Sequence, residues 1–279
     1  MEELLSQLQA AQAELEPSFK ALRGAMGALK TAVRLASADK ADALPMQKAL
    51  VKLETAAAEV QNEALDTAVA AFAAVTQRAL DDLAYEFAKD LREELEARGE
   101  TVDGRPPTLY VGLLTLQINM AARKGQWFYG KEALTKPIPL SLTGIVKAYE
   151  RQAKRIGGRE IKAEELVEEL RQAWQDCLAK RKQKPSGGRI NIVEVYGKLT
   201  LNRQSNRFWN QPSRATFKDY ERPLFVRDLV LLREMGAADS FRLGVATKNQ
   251  ADQPSRSIWL PEDGPNGEYY SDITFDIRD

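Results

Sequence analysis

The sequence predicts an α+β protein: a long N-terminal helical hairpin, coiled-coil-like, followed by a mixed α+β domain with antiparallel strands. Three observations predict it. Apolar residues recur at steps of three and four through the first hundred positions. Glycine and proline gather at 99–107, and beyond 107 the apolar period shortens to two in several short segments. The arm is therefore expected over 1–104 and the α+β domain over 105–279, with a sub-boundary near 185–188, where Pro185-Ser186-Gly187-Gly188 reads as a linker.

The first helical run is expected over 2–38. Leu5, Leu8, Gln12, Leu15, Phe19, Leu22, Met26, Leu29, Val33 and Ala36 form a heptad seam with one polar break. Pro17 lies inside it and predicts a kink or a restart, because it removes a helix hydrogen bond and clashes one turn back. A break follows at Ser37 to Pro45, with Pro45 suited to a helix start. The second run, 46–98, holds no glycine or proline and would be about 80 Å long if continuous. Its seam passes through Leu50, Leu53, Ala57, Val60, Leu65, Val69, Phe72, Leu80, Leu83, Phe87, Leu91 and Leu95, with slips of phase. Two helices alone leave apolar surface uncovered, so the arm is expected to assemble with itself or with another protein. Leu8, Leu15, Phe19, Leu22, Leu29, Leu83 and Phe87 are its candidate assembly residues.

In the second region, alternation through Leu114, Leu116, Ile118 and Met120 and the run Trp127-Phe128-Tyr129 predict a β-hairpin with a basic turn. Helices are expected from the N-cap Ser141 to about 156, over 162–184 and over 219–235. Strands are expected at 189–196, 198–203, 240–247, 257–260 and 269–277; the last alternates Tyr269, Ser271, Ile273, Phe275 and Ile277 with polar neighbours.

Composition excludes several chemistries. The chain has no histidine, so no imidazole base, His-dependent nucleophile or His-ligated metal can be built from it. Cys177 is its single cysteine, which rules out an intrachain disulfide. The acidic start Met1-Glu2-Glu3 lacks the basic region of a signal peptide, and no run approaches the ~20 apolar residues of a membrane span. A cytoplasmic protein without cofactor, metal or membrane association is expected.

Three spellings invite chemistry. Gly125 to Gly130-Lys131 fits a phosphate-loop pattern, but Glu132 follows where a hydroxyl belongs, and bulky residues fill the loop. Ser37-Ala38-Asp39-Lys40 spells a Ser-Lys dyad at an inter-helix break. Glu194, Asp228, Asp272 and Asp276 could hold a divalent metal in a nuclease or phosphodiesterase, which is the alternative function.

Charge gives the strongest functional signal. The net charge is zero, yet residues 1–104 carry 11 basic and 19 acidic side chains, while 180–227 carry 12 and 3. In that basic segment Lys180, Arg181, Lys182, Lys184, Arg189, Lys198, Arg203, Arg207, Arg214 and Lys218 are interleaved with Tyr196, Phe208, Trp209, Phe217 and Tyr220. Cations neutralise phosphates and rings stack unpaired bases, so these cations and Trp209 are the candidate site for nucleic acid or an acidic protein surface. The function expected is a non-catalytic adaptor subunit of a multi-protein complex. Its expected setting is a prokaryotic nucleic-acid machine of genome maintenance or phage defence.

Overall fold

Steps of three and four between apolar residues wind the N-terminal chain into α1 (Glu2–Ala36), which runs through Pro17 as one assigned helix. The computed structural model describes residues 2–40, 42–183, 185–262 and 266–276. It shows an α+β protein whose chain divides into two compact units. The first comprises Met1–Glu100, Asn119–Gly125 and Ile138–Lys147; the second comprises Thr101–Ile118, Gln126–Pro137 and Ala148–Asp279.

In the first unit, the second helical run is two helices, α2 (Ala43–Ala57) and α3 (Glu63–Glu96). Asn62 makes the break. Its backbone is extended, and its side chain accepts the N–H of Leu65 at 2.9 Å, starting a fresh helix without glycine or proline. α2 packs against both α1 and α3. The core is formed by Ala25 and Ala32 of α1, Met46, Ala49, Leu53 and Ala57 of α2, and Leu65 and Phe72 of α3. Alanines at these positions let the helix axes approach.

The expected assembly seam divides accordingly. Phe87 is buried, Leu29 and Leu83 are half-buried, and Leu8, Leu15, Phe19 and Leu22 stay exposed. In the same unit, the buried Asp42 accepts hydrogen bonds from Ser141 Oγ (2.8 Å), Thr143 N (3.2 Å) and Leu142 N (3.3 Å). A carboxylate thus meets the positive end of the helix beginning at Leu142, where Ser141 Oγ also accepts from Gly144 N.

The second unit opens with an antiparallel meander: β1 (Val102–Arg105), β2 (Thr108–Val111), β3 (Leu114–Asn119), β4 (Lys124–Tyr129) and β5 (Glu132–Ala133). Leu109 faces Leu116 across β2 and β3, and Leu109, Val111, Leu114, Leu116, Ile118, Trp127 and Tyr129 bury one face at a period of two. In the first unit, β6 (Ile138–Pro139) pairs with Lys124 and Gly125.

Helices α4 (Leu142–Gly157) and α5 (Ala163–Ala179) follow. A second antiparallel sheet centres on β10 (Gly267–Thr274), which pairs with β7 (Ile190–Asn191), β8 (Arg242–Val245) and β9 (Ile258–Pro261). The expected alternation appears there, with Ser271, Ile273 and Phe275 buried; Ile277 lies outside the described residues.

The strands expected at 189–196 and 198–203 are corrected to β7 and a helix, α6 (Ile192–Asn202). Asn191 caps it, its side chain accepting from Val193 N and Glu194 N. Ile192, Val195 and Leu199, all buried, recur at helical spacing, and that burial overrides their β preference. The short α7 (Asn206–Asn210), then α8 (Arg222–Glu234) and α9 (Lys248–Ala251), complete the unit.

The core assignment in the first unit is directly testable. Leu53→Ala should lower the unfolding free energy by about 2–5 kcal/mol, because a buried side chain is replaced by a cavity. Val51→Ala, two residues away and exposed, should change it by less than about 0.5 kcal/mol. Urea denaturation followed by circular dichroism measures both.

Candidate functional site

The chain leaving α6 makes an excursion over 205–217 whose neck is closed by one buried amide. Gln204 donates from Nε2 to the carbonyls of Thr200 (2.7 Å) and Lys218 (2.8 Å). Its Oε1 accepts from Lys218 N at 2.7 Å, so the side chain pairs with residue 218 as a neighbouring strand would. Inside the loop Ser205 caps α7, and Ser213 and Thr216 bond reciprocally through side chain and backbone.

This pinned loop presents rings to solvent. Phe208 packs edge-on against Trp209 (5.2 Å between centroids) and Phe217 (5.6 Å). Trp209 remains 55% exposed and Phe217 38%. From Ser205 to Lys218 there are three cations, Arg207, Arg214 and Lys218, and no acid. All three are exposed, and among the described residues their side chains enter no ion pair.

Lys218 also lines an open cleft of about 450 Å³ with Arg159, Glu169, Arg203, Asp219, Tyr220 and Leu224. Two of its lining residues, Arg159 and Tyr220, meet at an ionic hub. Asp228, 1% exposed, receives Arg159 Nε and Nη2 at 2.7 Å each and the Tyr220 hydroxyl at 2.7 Å. Burial, then the neighbouring Asp228 carboxylate, pushes the Tyr220 phenol far above its usual range, so it keeps the proton it donates. The hydrogen bond to Asp228 raises the Arg159 guanidinium. Arg203 lies 4.2 Å over the Tyr220 ring and bonds Glu169. Tyr196 donates its hydroxyl to the Tyr220 carbonyl.

The other basic candidates separate into engaged and open groups. Arg181 pairs with Glu194, Lys198 with Asp176 (3.1 Å) and Arg203 with Glu169. Lys180, Lys182 and Arg189 are exposed; Lys184 lies outside the described residues. Arg222 and Arg227 are likewise tied, to Glu132 (2.7 Å) and Glu234 (3.0 Å). Four of these five acids come from α5, β5 and the end of α8, distant in sequence from their partners or beyond the basic segment, and the fifth, Glu194, lies in α6. The loop cations thus share one short loop with the exposed Trp209 and Phe217.

The three spellings resolve locally. Trp127 and Tyr129 of the phosphate-loop pattern are core residues. Gly130 turns with φ +57°, and a Cβ there would lie 2.7 Å from the Trp259 ring. Ser37 Oγ donates to Val33 O (2.8 Å), while Lys40 bonds Glu93 (2.6 Å) and approaches Asp90 (3.4 Å), so the two dyad members are engaged separately. Of the carboxylates, Glu194 and Asp228 are held by arginines, Asp272 accepts from Ser271 (2.8 Å), and Asp276 sits 3.8 Å from Arg242. Among the described residues no three His, Cys, Asp or Glu side chains converge as a metal site, and no helix is long and apolar enough to cross a membrane. The buried Cys177 thiol is pushed up by burial, the opposite of an activated nucleophile.

No family model, curated protein or solved structure matches the chain, so its chemistry is read from this geometry alone.

Two outcomes follow. Gln204→Leu removes three hydrogen bonds and strands the N–H of Lys218, costing about 1–3 kcal/mol. Limited trypsin digestion should then cut at Arg207 and Arg214 faster than in the wild type, with the rest of the chain protected. The second concerns alkali. Tyr129, Tyr196, Tyr220 and Tyr270 are all raised, each chiefly by burial, so folding favours their neutral forms. That contribution is intact below the unfolded phenol pKa of about 10 and is lost as pH climbs above it. Urea midpoints should be level from neutral pH to about 9 and fall beyond about 10.

Proposed function

We propose that the chain is a non-catalytic adaptor subunit that assembles through its helical arm and holds single-stranded nucleic acid on the 205–218 loop. The observation that carries this reading is the loop itself. An exposed ring cluster, with three cations that enter no ion pair among the described residues, is pinned at its neck by Gln204. A cluster with no ligand to meet would leave a 55% exposed tryptophan as a solubility cost.

Stacking a base on Trp209 or Phe217 requires that base to be unpaired, which favours single strands over duplex. Arg207, Arg214 and Lys218 supply phosphate contacts of no sequence preference. Binding by such a loop is expected to be weak, salt-dependent and tolerant of base identity. The individual engagement of Glu194, Asp228 and Asp276 by arginines supports binding over carboxylate-metal catalysis.

Fluorescence anisotropy with labelled single- and double-stranded oligonucleotides at two salt concentrations tests the reading. Trp209→Ala should weaken single-strand binding by roughly 1–3 kcal/mol and leave duplex binding almost unchanged. Arg207→Ala, Arg214→Ala and Lys218→Ala combined should lower affinity for every sequence and flatten its salt dependence. Absence of binding to either form at low salt would reject the nucleic-acid role and turn the loop into a protein-docking element.

A further inference from the structure

Most of the large apolar side chains of α1 do not face α2. The buried residues of α1 are Ala25 and Ala32, with Ala28, Leu29 and Leu35 packed partly against the same core. Leu5 (57% exposed), Leu8 (60%), Leu15 (68%), Phe19 (66%), Leu22 (53%), Met26 (55%) and Val33 (61%) follow the heptad seam along another face. From Glu2 to Lys20 every residue is exposed. A helix segment of that length, with Pro17 inside it, is marginal in water without packing.

Charge along α1 identifies what covers this face. Its first part carries Glu2, Glu3, Glu14 and Glu16 and no base. From Ser18 to Ala36 it carries Lys20, Arg23, Lys30 and Arg34 and no acid. Two such helices in parallel would bring no opposite charges together, because Glu16 and Arg23 would face the partner's Ala11 and the partner's Ser18. Reversed, each acidic half meets a basic half.

We infer that α1 pairs antiparallel with α1 of a second copy of this chain. The inference rests on reading the arm as an assembly element and is independent of the loop's ligand. One register fits the seam throughout. Phe19 lies opposite the partner's Leu22, Leu15 opposite the partner's Met26, Leu8 opposite the partner's Val33, and Leu5 opposite the partner's Ala36. Gln12, the one polar seam residue, falls opposite the partner's Leu29, the seam position α2 already half covers in its own chain. At the flank, Glu16 meets the partner's Arg23, and the two-fold symmetry makes this pair twice. Pro17 sits on the side of the helix away from the seam, so its ring stays out of the interface.

Sedimentation equilibrium of the full chain, treated with nuclease, tests the pairing. The wild type should have a mass of about 62 kDa, twice the 31.2 kDa chain. Leu15→Asp should give monomers with unchanged near-ultraviolet circular dichroism, since Leu15 lies outside the core. Glu16→Arg should weaken dimerisation about three- to tenfold, and adding Arg23→Glu should restore it, because the reversed pair is again opposite in sign. Trp209→Ala should dimerise as the wild type does, which separates this result from any failure of the loop to bind nucleic acid. A wild type that is monomeric at its highest soluble concentration overturns the inference, as does a mass above two chains. Leu15→Asp dissociation with no response to Glu16→Arg also overturns it, because a parallel pair places alanine and serine, not charge, opposite these positions.

Discussion

Asp228 is the constraint on which the candidate surface depends. A carboxylate 1% exposed would cost several kcal/mol if it stood alone. It is tolerated because Arg159 meets both oxygens and Tyr220 adds a third hydrogen bond. That requirement fixes Tyr220, and Tyr220 fixes its surroundings: its carbonyl receives Tyr196 and its ring carries Arg203, which Glu169 holds from α5. Arg203 and Tyr220 stand at the two feet of the 205–217 excursion, just outside the Gln204–Lys218 clamp. The loop is therefore anchored by buried polar groups at its base while Trp209 and Phe217 meet water, an arrangement that would limit the entropy lost on holding a ligand.

Where the sequence carried one unambiguous period, it foretold the fold. The helix from Ser141, the helix expected over 219–235 and found over Arg222–Glu234, and the alternation through Ser271, Ile273 and Phe275 were legible because burial and spacing agree there. Residues 192–202 were not, since Ile, Val and Leu satisfy either period over so short a stretch and the deciding group, the Asn191 side chain, acts as a helix cap. The break at 58–62 was hidden in a similar way: it contains no glycine or proline, and Asn62 starts the next helix through its side chain.

The candidate site was legible in outline and not in detail. Composition marked 180–227 as basic and aromatic, and that segment contains the loop. It could not show that Arg181, Lys198 and Arg203 are matched to carboxylates, because two of those acids, Asp176 and Glu169, belong to α5. Nor could it show that Phe208, Trp209 and Phe217 cluster outside the core while Tyr196 and Tyr220 pack near Phe225. Ion pairing between elements and the side of a ring that meets solvent are both properties of the folded chain.

With the proposed pairing, α1 would serve two interfaces. Its alanine face closes on α2, where small residues allow near approach, while the larger residues of the seam point elsewhere. Had the leucines packed inward, the arm would be self-sufficient and α1 would have no reason to carry a second apolar stripe. With two copies joined through that stripe, each particle would carry two 205–218 loops. A loop with one exposed tryptophan and three cations has few contacts to offer alone, but a second loop in the same particle acts at a raised effective concentration. Such coupling can raise avidity by about 10²–10⁴ without any new contact, provided one strand reaches both loops. The two proposals would thus be complementary: assembly would supply the affinity that weak, sequence-tolerant binding lacks.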